Sequence, residues 1–367
     1  MRELGVRALN RALLDRQSLL RRRKLSATAM VERLVGLQAQ APMPPYFGLW
    51  SRLTDFRPEQ LSQLLESRAV VRIVLMRGTI HLVSAADCLF LRPLVQPALT
   101  RTLGSSVYSP QLVGLDPVAL ADEGRALLTE RPMSPAELGA AMARRWPDRD
   151  PLALANAVRT HVPLVQVPPR GLWGRSGAAR HTPATRWLGA PLADTPSVER
   201  LVLRYLGAFG PASVADAQAW SGLTRLGEIV DRLRPRLRVF RDERGVELFD
   251  VPQARRPTPD TLAPARLIAP FDNLVLGHAN RTRIISDETR KRLFTVNGVF
   301  PGFLLVDGFV AGTWRLDRRK DGTTLHLEPD RPLRTSEHDD LAEEGSRLLA
   351  FATPENTKHD IQFGQAP

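Results

Sequence analysis

Apolar positions along this chain switch repeatedly between helical spacing and strict alternation. Val6–Leu20, Ser26–Leu37 and Pro58–Ser67 carry them at helical intervals, and Val70–Leu75 and Thr79–Val83 then read as strands split by Arg77-Gly78. The order recurs from Asp116-Pro117. Helices are predicted over Val118–Thr129, from Ser134-Pro135 and from Asp150-Pro151, followed by Leu164–Val167, a strand-like Gly171–Gly174 and a basic loop, Arg175–Arg186. A third pass begins at Thr195-Pro196-Ser197. It holds helices over Val198–Phe209, Ser213–Ser221 and Leu226–Arg232, then a hairpin of Leu237–Arg241 and Val246–Val251 around Asp242-Glu243-Arg244-Gly245. Ser or Asp stands before many of these helices because its oxygen can accept a free first-turn amide, and Pro fits the first helical position because it has no N–H to lose.

Three helices followed by a two-stranded wing form a winged helix, so three tandem copies are expected. Near residue 261 the pattern changes to short strands at Ala265–Ala269, Leu293–Thr295, Phe303–Val306, Phe309–Leu316 and Thr323–Leu327, punctuated by Gly302, Gly308, Gly312 and Gly322. A helix over His338–Phe351 and a loose tail from Thr357 close the chain. The expectation is an α+β protein: winged helices at 1–115, 116–192 and 193–260, then a β-rich domain at 261–367.

Charge narrows the partner. The 367 residues include 51 Lys+Arg against 39 Asp+Glu, a net charge of +12, which favours nucleic acid first and an anionic membrane surface second. The excess is mostly arginine, whose planar fork suits phosphate; the lysines are Lys24, Lys291, Lys320 and Lys358. Cys88, the single cysteine, lies in an apolar run and excludes both a disulfide framework and a cysteine-based zinc site. The first residues lack the apolar core of a signal peptide, and no apolar run approaches the roughly 20 residues of a membrane span, so a cytoplasmic protein is expected. Phosphate-loop, dinucleotide and metalloprotease motifs are missing and the seven histidines lack metal-ligand spacing, so no cofactor and no metal are expected.

Four segments could carry chemistry. Gly36-Leu37-Gln38-Ala39-Gln40-Ala41 sets two glutamines at the end of an amphipathic segment that Pro42-Met43-Pro44-Pro45 breaks. Glutamine has no titratable proton, so the pair can orient water or support a positive charge but cannot be a strong base. On spacing alone, a polar helix end bonding its own carbonyls is the favoured reading. The hairpin Ala311–Leu316 with Thr323–Leu327 turns at Asp321-Gly322 and groups Arg318, Arg319 and Lys320, which can meet phosphates or enter a minor groove. Thr79 and His81 share a strand face beside Arg77, either as a site or around a structural histidine. Asp272-Asn273 follows a strand, either as a site or as an Asx turn.

Together these segments resemble the winged-helix DNA glycosylases of the AlkZ/YcaQ family. The resemblance rests on Leu37-Gln38-Ala39-Gln40-Ala41, then Tyr46-Phe47-Gly48-Leu49-Trp50-Ser51-Arg52, Met76-Arg77-Gly78-Thr79-Ile80-His81-Leu82-Val83, and Ala269-Pro270-Phe271-Asp272-Asn273-Leu274, in order over essentially the whole chain. Gln at both positions looks like the AlkZ branch. Leu274-Val275-Leu276-Gly277-His278 departs from the Trp-Asp that often follows in the family.

The resemblance implies tandem winged helices in a C shape around duplex DNA. It implies a monofunctional glycosylase, acting as a monomer without cofactor or membrane partner, that excises alkylated purines, chiefly N7-alkylguanine. Some members unhook interstrand crosslinks or protect the producer of an alkylating antibiotic. Gln38 and Gln40 would be catalytic. Arg318, Arg319 and Lys320, with Arg77, Thr79 and His81, would contact DNA, and Asp272, Asn273 and Tyr46 are further candidates. An N7-alkylguanine is a cation and leaves as a neutral base, so the enzyme need only hold a water and favour the oxocarbenium ion, which two amide carbonyls can do. Two other readings stay open: a tandem winged-helix regulator without chemistry, and a resistance protein that sequesters drug or shields lesions. Base release separates them from an enzyme.

Overall fold

The computed structural model describes residues 2–294, 300–319, 321–355 and 358–364. Its helices start where side-chain acceptors are available. Ser26, Asp116, Ser134, Asp150, Ser197 and Ser213 each sit in extended backbone and accept a first-turn N–H. Glu137 returns the bond to Ser134 and completes a capping box. The third pass is laid out as helices Val198–Phe209, Val214–Ser221 and Leu226–Leu233, then the hairpin Arg238–Asp242 with Glu247–Asp250. The N-terminal strand Arg2–Leu4 joins that hairpin in parallel, with Arg2 opposite Phe240.

A five-stranded antiparallel sheet joins the first two passes. Its order is Leu37–Gln38, Ile80–Ser84, Val70–Val74, Leu164–Gln166, His181–Pro183. Arg72 opposite Gln166 is the register that fuses them. This sheet corrects two sequence expectations. Gly171–Gly174 is a turn, with Gly171 at φ +101° and Gly174 at φ +66°, and the strand paired with Leu164–Gln166 is His181–Pro183, inside the stretch read as a basic loop. Between the first two passes lies an unforeseen helix, Ala85–Gly104, masked in sequence by Pro93 and Pro97 in its interior. It buries Cys88, whose thiol burial pushes up to about 12. A short helix, Pro44–Trp50, was also not anticipated.

The last sheet runs His359–Phe363, Gly322–Pro329, Phe309–Arg319, Gly302–Val306, Arg266–Ile268. Within the stretch read as a loose tail, His359–Phe363 is a strand instead: it pairs in parallel along Gly322–Pro329, with Ile361 opposite Leu325. Leu293 ends the helix Asp287–Leu293 rather than starting a strand, and Thr295 lies outside the described residues. One apolar core runs through the first pass, the third pass and this sheet, including Leu49, Val83, Phe209, Trp220, Leu274 and Leu325. The second pass keeps its own core around Leu128, Met142, Leu154 and Val158. Part of the arginine excess is interior: Arg16 meets Asp250 at 2.7 Å and Arg52 meets Asp272 at 2.8 Å, all four buried.

Three buried histidines make this fold sensitive to acid. Burial, the dominant cause in each case, lowers His81 and His278 to about 3 and His181 to about 4. In the unfolded chain they titrate near 6.5, so from about pH 6.5 down to those values the unfolded state binds more protons and stability falls with pH. Each contributes up to about 1.4 kcal/mol per pH unit in that window. Urea unfolding of wild type and His81→Asn at pH 7 and pH 5 checks this. The variant should show the shallower loss on acidification, and an identical loss would contradict it.

Candidate active site

The glutamine pair is not at a helix end, contrary to the sequence reading. The helix Ala27–Arg33 stops, and Val35 at φ +54° and Gly36 at φ +93° reverse the chain. A Cβ at Gly36 would lie 2.8 Å from Val83 Cγ1 and 3.2 Å from the Leu82 carbonyl oxygen, so glycine alone lets the next residues approach the sheet. Leu37–Gln38 then forms its edge strand, Gln38 directly opposite His81. Ala39 continues the pairing through its N–H to the Ile80 carbonyl at 2.7 Å, and its own carbonyl accepts from Arg72 Nη2 at 2.8 Å. Gln38 is buried and Gln40 exposed.

Arg77 organises the site. It sits at φ +57° in the tight turn Met76–Gly78 between the two long strands. Its Nη2 donates to Gln38 Oε1 at 2.9 Å and to Asn273 Oδ1 at 2.7 Å, and its Nη1 donates to the Trp220 carbonyl at 2.8 Å. These neutral acceptors come from the first pass, the third pass and the C-terminal unit. Burial, and secondarily Arg281, lowers Arg77 to about 10, so it stays charged at neutral pH. Guanidinium only donates, so it fixes both amides with their oxygens toward Arg77. The Ile80 N–H likewise orients Gln40, whose Oε1 accepts it at 3.2 Å. Each glutamine carbonyl thus accepts one of these bonds, and an amide oxygen has two lone pairs. Asn273 Nδ2 is buried and has no partner among the described residues, a group that favours an acceptor brought by a ligand. Sequence reasoning named Arg77 and Asn273 separately and missed the link. The signal was an arginine in an Arg-Gly turn between apolar strands.

The remaining candidates occupy other roles. His81 is 0% exposed; its Nδ1–H donates to the Thr79 carbonyl at 3.1 Å, its Nε2 has no partner among the described residues, and burial keeps the ring neutral. In this structure the ring is enclosed within the sheet rather than presented at the surface. Thr79, half-buried, donates its hydroxyl to the Met76 carbonyl at 3.1 Å. Tyr46 is buried, donates to the Gly171 carbonyl at 2.7 Å and is pushed up to about 12 by burial, so it ties a helix to a loop. Asp272 accepts from Arg52 at 2.8 and 2.9 Å and from the Leu274 N–H at 2.8 Å, which makes it a helix cap and the partner of a buried cation. In the hairpin, Arg318 turns back over the Trp173 ring at 5.6 Å and donates to the Ala352 carbonyl at 3.3 Å, while Arg319 pairs with Asp317 at 2.8 Å. Lys320 lies outside the described residues.

A family model described as DNA glycosylase AlkZ-like matches residues 31–351. An interstrand DNA cross-link repair glycosylase from Streptomyces sahachiroi is 23% identical over 333 residues, covering 83% of this chain and 85% of that protein. The solved structure of the Streptomyces sahachiroi DNA glycosylase AlkZ superposes with a TM-score of 0.80 at 19% identity, covering 99% of this chain and 100% of that one. At that identity the likeness speaks to the fold.

Proposed function

The chain belongs to the AlkZ-like DNA glycosylase family, and from that premise we propose that it hydrolyses the N-glycosidic bond of N7-alkylated purines in duplex DNA, 7-alkylguanine foremost. The carrying observation is the chemistry of the Gln38–Arg77–Asn273 cluster: a fixed cation and amides, with His81 neutral and Asp272 committed to Arg52. Such a site supplies no acid for a leaving group. A cationic purine needs none, because cleavage of its C1′–N9 bond returns the bonding electrons to the ring and releases a neutral base. The sugar becomes an oxocarbenium ion, and a water adds at C1′ and loses its proton to solvent.

Arg77 places positive charge at the Gln38 oxygen. The exposed carbonyl of Gln40 is therefore the better seat for the attacking water, with Gln38 and Asn273 held rigid behind it. In this reading three winged helices form a C-shaped clamp, and Arg318, Arg319 and Lys320 bring the hairpin to the duplex. The relative named for interstrand cross-link repair supports extension to crosslinked lesions. The test is incubation of the protein with duplex DNA carrying one 7-methylguanine. Free 7-methylguanine and an alkali-labile abasic site are expected. Tight binding without base release would favour the regulator or sequestration reading.

A further inference from the structure

The second pass holds a cavity of its own, about 250 Å³, which shares no lining residue with the Gln38–Arg77–Asn273 cluster. The helix Pro151–His161 forms one wall. Leu152, Ala155, Asn156 and Arg159 stand at i, i+3, i+4 and i+7, so a single helical face looks into the space. Pro135 and Leu138 close it from the neighbouring helix, and Leu164 and His181 from the sheet. Leu138 and Leu164 are buried, whereas Leu152 is 47% exposed and leaves an apolar side chain at the mouth.

Arg159 has no counter-ion. It is half-buried, and among the described residues no ion pair or hydrogen bond engages its guanidinium. Arg16 and Arg52, by contrast, each meet a buried carboxylate. Burial lowers Arg159, and the offset comes from Tyr108, which also lines the cavity, rather than from an acid. Arg159 in turn adds to burial in holding His181 near 4, so that imidazole stays neutral. No Asp or Glu lines the cavity among the described residues. Asn156 Nδ2 already donates to the Leu152 carbonyl at 2.8 Å, and His181 Nε2 accepts from Gln166 at 3.4 Å. One cation and the Tyr108 hydroxyl therefore remain as donors between apolar walls. A part-buried charge without a partner is costly, and an anion brought by a ligand relieves it. The walls favour an apolar body beside that anion. A backbone phosphate suits the space less, because leucine and proline cannot replace its hydration.

We propose that this cavity binds a small apolar monocarboxylate, its carboxylate on Arg159 and its body between Leu138, Leu152 and Leu164. The site stands apart from the glycosylase reading and is read out by binding alone. Benzoate is the probe, benzamide its neutral counterpart and acetate the same anion without the ring, each titrated calorimetrically into the full chain. Benzoate should bind saturably, with benzamide and acetate each weaker by about tenfold or more, the scale of one charge-assisted contact. Arg159→Met should bring benzoate down to the affinity of benzamide. Leu152→Glu changes a half-exposed position and sets a competing carboxylate at the mouth, so it should weaken benzoate more than benzamide. Four results overturn the assignment: no saturable uptake of benzoate, equal affinity for benzoate and benzamide, benzoate binding untouched in both variants, or displacement of benzoate by equimolar inorganic phosphate.

Discussion

Gln38→Ala and Gln40→Ala should each slow release of 7-methylguanine by about 10²- to 10³-fold, the scale for one preorganised polar group at a developing charge. Duplex affinity should stay within a few fold, because neither amide carries charge. The two losses have different origins. Gln40 is exposed and oriented by the Ile80 N–H, so its removal takes away the proposed seat of the water. Gln38 is buried, and its loss leaves Arg77 with one fewer acceptor and frees the turn that also holds Asn273. Arg77→Met probes the same clamp from the other side: it strips the donor from both amides and should lower kcat with little change in KM. Single-turnover kinetics on a 7-methylguanine duplex measure all three. Near wild-type excision by both alanine variants would remove the pair from the mechanism.

Asp272→Ala should cost about 3–5 kcal/mol of stability, the range for breaking a buried ion pair from one side. Arg52 is buried and receives both carboxylate oxygens of Asp272, at 2.8 and 2.9 Å. Its remaining neighbours, the Gly48 carbonyl at 2.9 Å, Ser51 Oγ at 3.2 Å and Gln17 Oε1 at 3.2 Å, are neutral. Removing the carboxylate leaves a cation in the core and also strips the cap from the Leu274 N–H. Arg52→Met with Asp272→Leu should recover most of the loss, since an apolar pair has no charge to desolvate. Urea unfolding of the three proteins checks this. A loss below about 1 kcal/mol in the single variant would show that Arg52 finds another partner. The capped helix begins at Asn273, so Asp272→Ala should also lose activity, through displacement of Asn273 from Arg77.

Much was legible in the sequence by itself. Helix starts were marked by Ser26, Ser134, Ser197 and Ser213, because a cap works within three residues of itself. The long hairpin was legible from alternation over Phe309–Leu316 and Thr323–Leu327, and the two glutamines stood out as residue types. Those signals are local, and the physics behind them acts over a few residues.

Only the tertiary structure decided the rest. Whether Gln38 ends a helix or edges a sheet depends on how closely Gly36 approaches Val83, 47 positions further on. That the first two passes share a sheet depends on Arg72 meeting Gln166, and that His359–Phe363 is a strand depends on Leu325 being there to pair with Ile361. Arg77 and Asn273 are 196 residues apart, and no periodicity connects them. Backbone groups and a buried guanidinium take whichever partners the packed chain brings within hydrogen-bond reach, and a linear pattern of hydrophobic and polar positions does not record that choice.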